Sequence, residues 1–484
     1  MSDIKIQIAP FAPKYFDYKG EIFIPIILTI MVLVVGIVGV KFGYISQILI
    51  LLSIFGIPVA LYAFYNLKFG IILVICLAFF VLGIKRLVGD IPLGLLLDSL
   101  IALMVLSLVI QLVRKRNWEF ANNQISLAVL VWVIYNLLEV VNPWAESIQA
   151  WLYTVRSMAG LMVLYFIVLY AMDNIKYAKW LIKLWILLAT LAAVHGLNQE
   201  YLGFLPFEER WVFEDQERFA LLFQMGRFRK FSFMSDAMIF GFVMAYSAVL
   251  CFVLASGPHK LWERVALIVA GCMMVLSMVY SGTRAAYILL PVGGFFYVIL
   301  TFQKKIIVLS LFCLALGFTF INMPTSNINI IRVQSAFKPS EDASFNTRKR
   351  NQKMIQPYLW THPMGGGLGS TGDWGEKFSP NSFLSKFPPD SGYMRIVVEM
   401  GPIGLIIYLY LMFVVLKEGI RNYFAIKNPK LKNLMLAVLC VVYSLVIANF
   451  PQEATGQIPN SLLLYVMFAL ICKLPDFDKN ADSI

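Results

Sequence analysis

Residues 305–323 read KIIVLSLFCLALGFTFINM, with one lysine at the edge, no acid and a nearly unbroken apolar character. Coiled as a helix rising about 1.5 Å per residue, such a run reaches across a hydrocarbon core roughly 30 Å thick. At Pro324 the chain changes character. As far as Ser391 it is polar and glycine-rich and carries Arg348, Lys349, Arg350, His362 and Asp390, and at Gly392 another long apolar run begins. A charged island between two membrane-length runs implies work at one face of a bilayer.

Outward from that boundary the apolar pattern repeats. Hydrophobic residues are 60% of the 484 and charged residues 14%, a balance that excludes a water-soluble globular enzyme. Apolar windows fall at 22–40, 44–65, 69–84, 92–113, 126–142, 148–172, 177–198, 235–255, 262–281, 285–301, 305–323, 392–416, 432–450 and 458–472. They predict an all-α polytopic membrane protein with 12–14 transmembrane helices, depending on how the first three windows and the last are counted. The run from Ile22 has no cleavable-signal character and is expected to stay attached as the first span. The expected organisation is N-terminal helices over 1–198, an extracytoplasmic loop over 199–234 and central helices over 235–323. A large extracytoplasmic catalytic loop with short helices follows over 324–391, then C-terminal helices and a short cytoplasmic tail over 392–484.

Lys and Arg set the orientation, because positively charged loops stay cytoplasmic during insertion. Basic clusters at Arg114–Arg116, Lys176/Lys179, Lys260/Arg264, Lys304/Lys305 and Lys417–Lys432 are separated by even numbers of windows, so they share the cytoplasmic face. Lys85-Arg86 is the one pair on the wrong side. The net charge of +12 is mostly this topology signal, not a nucleic-acid surface. The six cysteines, Cys76, Cys251, Cys272, Cys313, Cys440 and Cys472, all belong to apolar runs, which leaves neither a disulfide framework nor a CxxC metal site.

Three polar stretches carry the chemistry. The first loop has helix-like apolar spacing at Trp211–Phe223, as in a helix lying in the interface, and ends in Gly226-Arg227-Phe228-Arg229-Lys230. Arg227 and Arg229 sit at the start of a span, where they could anchor to phospholipid or hold another anionic group. The second stretch is Tyr280-Ser281-Gly282-Thr283-Arg284, a turn with almost no linker. It sets Arg284 at the bundle edge, where it either snorkels or faces a ligand.

The third stretch is the large loop. Arg348 precedes a short helix-like segment ending at Trp360, then comes His362-Pro363-Met364-Gly365-Gly366-Gly367-Leu368-Gly369. Glycine runs let backbone N–H groups approach an anion, although this one lacks the Gly-Lys-Ser/Thr of a Walker motif. The loop closes at Asp390-Ser391-Gly392, where Asp390 could cap the entering helix or act as a base. Arg395 and Glu399, four residues apart, can pair on one helix face, and both pairing and a part in substrate binding stay open for them. Asp98, Glu139, Arg156 and Asp236 fall within or beside spans with no evident partners.

This ordered set resembles the superfamily of O-antigen ligases and Wzy-type O-antigen or exopolysaccharide polymerases over roughly residues 200–450. Its elements are the arginines before a span, Ser281-Gly282-Thr283-Arg284 at a tight turn, Arg348 ahead of the His362 glycine run, and Glu399-Met400-Gly401-Pro402-Ile403-Gly404. The resemblance implies a metal-independent, membrane-embedded C-type glycosyltransferase with no cofactor, in the bacterial cytoplasmic (inner) membrane. Its donor would be an undecaprenyl-diphosphate-linked glycan and its acceptor a glycan or lipid-linked glycan. Membrane lipids, a flippase and a chain-length regulator would be its neighbours. Arg284, with Arg227 or Arg229, would hold the diphosphate, and Arg348 would support the loop or bind glycan. Members commonly carry a His-Asn pair just before the Gly-x-x-Gly helix, where this chain has Asp390-Ser391. That departure makes Asp390 the positional candidate for activating the acceptor hydroxyl, with His362 second, and favours a polymerase over a ligase. A transporter or flippase would instead line a midplane cavity with charges on repeated broken helices, and no internal repeat is evident.

Overall fold

The computed structural model describes residues 44–89, 94–116, 118–337, 343–389 and 391–481. The expected first span at 22–40 and the candidate base Asp390 lie outside them. The chain divides into two units, 1–65 and 66–484. Of the first, helix α1 (Tyr44–Tyr65) is described.

In the second unit, twelve helices among the described residues are long and apolar enough to cross a membrane. They start with α2 (Leu67–Val88), α3 (Gly94–Lys115) and α4 (Gln124–Leu138). The next window is a broken span: α5 (Ile148–Val155), a π turn over Arg156–Gly160, a 3-10 turn and α6 (Leu164–Ala171). Then come α7 (Ile175–Tyr201) and, after the first long loop, α10 (Ala237–Ala255) and α11 (Leu261–Ser281). The short α12 (Arg284–Tyr287) leads into α13 (Leu289–Thr301), which is followed by α14 (Lys304–Asn322). Beyond the second loop are α18 (Gly392–Ala425), α19 (Pro429–Ala448) and α20 (Asn460–Ala481). Each apolar window from 69–84 onward corresponds to one of these spans.

Span entries are marked by polar caps, because the first N–H groups of a helix have no partner within it. Asn66, Asn123, Ser147, Asn174, Asp236, Ser391 and Asn428 each accept a backbone N–H of the helix they open. Ser391 caps α18. The bundle is organised around α10, 89% of which is buried, against 78% of α19 and 33% of α11. A sequence apolar on every side, as α10 is, suits such enclosure. Its polar groups have partners: Trp185 donates to Ser247 Oγ at 2.9 Å, and Tyr246 donates to Asn460 Oδ1 at 3.1 Å.

Two breaks shape the interior. At the π turn, Arg156 pairs with Asp98 of α3 at 2.9 Å, which makes two of the unassigned intramembrane charges each other's partner. In α18 the helix is interrupted at Gly401 (φ 69°, ψ 178°). Pro402 disfavours helical backbone at the preceding residue, and only glycine takes that positive φ readily.

The loops are structured. In the first, the expected interfacial helix is two, α8 (Pro206–Phe213) and α9 (Gln216–Leu222), split where Asp215 accepts from the N–H groups of Glu217 and Arg218. A hairpin follows, β1 (Phe223–Gln224) with β2 (Arg227–Phe228), turning through Met225 and Gly226, both at positive φ. Arg86 of α2 closes this loop onto the bundle. Its guanidinium lies 4.2 Å from the Trp211 ring centre and 4.4 Å from that of Phe231. It also donates to the carbonyls of Ser232, Met234 and Ser235. The residue that disagreed with the charge pattern is thus bound into the protein. The second loop contains α15 (Ile328–Ala336), α16 (Ala343–Thr361) and α17 (Gly372–Phe378). α16 extends further back than the short helix expected there and takes in Arg348.

Candidate active site

α11 ends because Gly282 adopts the left-handed region (φ 63°), the usual way to close a helix. Arg229 packs against this turn, donating from Nε to the Ser281 carbonyl at 2.9 Å and from a terminal nitrogen to Thr283 Oγ1 at 3.0 Å. The Thr283 hydroxyl in turn donates to Ala237 O at 2.9 Å, tying the turn to α10. From the second loop, Arg332 of α15, only 4% exposed, donates to the Gln224 carbonyl in β1. A Cβ at Gly282 would lie 3.3 Å from an Arg332 terminal nitrogen and 3.5 Å from Arg229 Nε. Glycine is therefore needed at 282 both for its backbone angle and for this close approach.

Arg284 follows at once, and its charge bears on both neighbours. Burial pushes the Arg229 guanidinium below its ordinary value, and Arg332 and Arg284 add to that effect against Asp236 and Tyr287. Burial does the same to Arg332, with Arg227 and Arg284 adding to it. Arginine keeps its proton under such pressure. The carboxylates nearby have other duties: Asp236 caps α10, and Glu200 pairs with Lys230 at 3.2 Å and half-exposed Arg227 at 3.6 Å. The Arg229 and Arg332 guanidinium groups thus meet at the Gly282 turn with the Arg284 charge acting on both, where an anion with several oxygens would relieve their repulsion.

A second group forms around the glycine run. His362 follows α16 with its ring stacked on Tyr358, centroids 3.9 Å apart and planes 5° apart, and with Trp144 edge-on at 5.4 Å. Its Nδ1 lies 3.0 Å from the Tyr358 carbonyl and 2.8 Å from Thr361 Oγ1. A carbonyl can only accept, so these partners assign the hydrogen of the neutral ring to Nδ1 and the lone pair to Nε2.

The glycines themselves serve close packing. Gly366 N–H donates to Val398 O at 2.9 Å, and a Cβ at Gly365 would strike the backbone at Glu399 and Gly401. Gly369 N–H donates to Glu399 Oε2 at 3.0 Å, and Thr371 donates to Oε1. The anion that this glycine backbone meets is a carboxylate of the protein's own. Glu399 also pairs with Arg395 at 3.2 Å, as its spacing predicts, and Arg395 reaches Glu453 at 2.9 Å. Asn142 pins the other side of the segment, donating to both Met364 O and Glu139 Oε2 at 2.8 Å.

The structure thus sets Arg229 against the Gly282 turn that Arg284 follows, leaves Arg227 paired with Glu200, and joins His362, Arg395 and Glu399 through one loop segment. Arg348 lies half-buried on α16, and among the described residues no hydrogen bond or ion pair joins it to either group. Sequence reasoning missed Arg332, although an arginine among Ile328, Ile330, Ile331 and Val333 is a signal of the same kind as Arg284. It also missed Tyr358, one turn before His362, and Asn142, Trp144 and Glu453, which hold the second group from distant segments.

The bundle and its two loops define an all-α, multi-pass membrane protein. Residues 268–409 match the O-antigen ligase family model (Wzy_C). The matched stretch includes Arg284, Arg332, Arg348, His362, Arg395 and Glu399 and stops short of Arg227 and Arg229. The match supports a glycosyl-transfer enzyme in general. No curated protein matches the chain.

Proposed function

We propose that the chain polymerises undecaprenyl-diphosphate-linked oligosaccharide repeat units into a surface polysaccharide (O-antigen, capsule or exopolysaccharide) on the outer face of a bacterial cytoplasmic membrane. The convergence of Arg229, Arg284 and Arg332 on the Gly282 turn carries this reading. In the transfer, an acceptor hydroxyl oxygen bonds to the anomeric carbon of the donor, and the bond from that carbon to the diphosphate oxygen breaks. The hydroxyl proton passes to a base, and the lipid diphosphate departs with the electron pair. Guanidinium groups suit the departing charge, because their paired N–H donors match phosphate oxygens and are already in place when that charge develops.

Arg284 and Arg229 hold the diphosphate, with Arg332 beside them and Arg227 at the rim. Asp390 is the first candidate for the base, by its position before Ser391, and His362 the second, through Nε2. Arg395 and Glu399 hold the glycine segment that carries His362, and Arg348 supports the loop or meets glycan. The loops at 199–234 and 324–391 lie on the extracytoplasmic side.

Fluorescent lipid-linked repeat units added to the purified protein in lipid nanodiscs test the reading. Longer chains support polymerisation, glycan moved to a different lipid identifies a ligase, and the absence of any new glycosidic bond overturns both. Asp390→Asn and His362→Gln in the same assay identify the base. The true base should show a loss of about two to four orders of magnitude in turnover with donor binding retained.

A further inference from the structure

Just beyond the glycine run, α17 carries Trp374 and Phe378 four residues apart, hence on one helix face. Tyr153 of α5 stacks on both, at 4.5 Å from Trp374 with planes 20° apart and 5.4 Å from Phe378 with planes 19° apart. Trp374 and Phe378 are 6.0 Å apart with planes 14° apart. Rings on opposite sides of Tyr153 would be separated by two layers of about 3.5 Å each, or about 7 Å. Both therefore lie on one side of Tyr153 and form a single, nearly flat aromatic surface.

This surface is not core. Tyr153 is 39% exposed, Trp374 and Phe378 are half-buried, and Asp373, Glu376 and Lys377 around them are exposed. The Lys377 ammonium stands 5.8 Å from the Trp374 ring centre and 5.5 Å from that of Phe378. The backbone fixes the surface relative to His362. Gly369 abuts Thr154 and Ala150 of α5, one residue from Tyr153, and Gly375 of α17 packs on the Ser370 carbonyl.

A pyranose ring has one face of axial C–H groups and a rim of hydroxyls. A flat aromatic pair matches the face, and the carboxylates beside it and the Lys377 ammonium over its rings match the hydroxyl rim. We propose that Tyr153, Trp374 and Phe378 form a sugar-docking platform for the acceptor glycan, seating one pyranose beside the His362 segment. This inference rests on the glycosyl-transfer reading above.

Saturation-transfer NMR on the protein in nanodiscs, with the repeat-unit oligosaccharide released from its lipid by mild acid, tests the platform directly. Wild type should saturate the C–H protons of one sugar face. Trp374→Leu keeps an apolar side chain for helix packing but removes the aromatic face, and should weaken binding by about tenfold. Trp374→Phe should restore most of it. In the transfer assay, Trp374→Leu should raise the acceptor KM by a similar factor with kcat within about twofold.

Arg284→Lys separates the two readings, since it should abolish transfer yet leave oligosaccharide binding intact. Unchanged binding in both Trp374→Leu and Tyr153→Leu overturns the platform. So does quenching of the Trp374 emission by headgroup-brominated lipid rather than aqueous iodide, read as the difference between wild type and Trp374→Leu. That outcome would make the rings a membrane-interface anchor.

Discussion

Replacing Arg332 with glutamine separates a structural role from an anion-binding one, because the two predict opposite balances of stability and activity. One Arg332 terminal nitrogen and Arg229 Nε lie 3.3 Å and 3.5 Å from the same point, the position of a Cβ on Gly282. The two nitrogens are therefore no more than about 7 Å apart, and at an effective dielectric of about 20 unit charges at that separation repel by about 2 kcal/mol. Arg332→Gln removes that repulsion. It also removes the charged donor to the Gln224 carbonyl, a bond worth about 1.5–3 kcal/mol. The two effects offset, so stability should change by about 1 kcal/mol or less. Activity should not be spared. Losing one positioned donor to a developing anion costs about two to three orders of magnitude in turnover. Thermal melting in detergent and chain elongation on lipid-linked repeat units, on the same preparation, measure both. Turnover within about threefold of wild type would refute the placing of Arg332 in the diphosphate site. A loss of activity that merely follows a melting drop of several kcal/mol, as when one partner of a buried pair is removed, would make it a strut.

Arg284→Lys should lose most activity although charge is kept, since one ammonium cannot reproduce a bidentate grip; near-wild-type synthesis by the well-expressed variant would count against that role. Glu399→Gln should destabilise the protein by about 3–5 kcal/mol, because its carboxylate joins Arg395, Gly369 and Thr371. A wild-type melting temperature would show that this carboxylate does not clamp the glycine segment. A cysteine at Lys349 should react with a membrane-impermeant thiol reagent in intact cells and one at Lys430 should not, whereas the reverse pattern would place the second loop in the cytoplasm.

What could be read in the sequence was whatever a local rule or the bilayer constrains. Each span from α2 onward follows an apolar window because the hydrocarbon core imposes length and composition on a contiguous segment. Arg395 and Glu399 pair as their four-residue spacing requires. The pattern fails where the partner is remote. Lys85-Arg86 looked like a misplaced topology charge because the rings and carbonyls that hold Arg86 are more than a hundred residues away. The glycine run suggested a substrate anion, but Glu399, thirty residues beyond Gly369, supplies the carboxylate. The arginine site shows the same limit most plainly. Arg229, Arg284 and Arg332 lie in a loop end, a helical turn and a short amphipathic helix, and each alone reads as a lone cation at a membrane edge. The proposed anion site arises when the fold brings like charges to one glycine turn, and mutual repulsion is a property of the assembled set that no single segment displays.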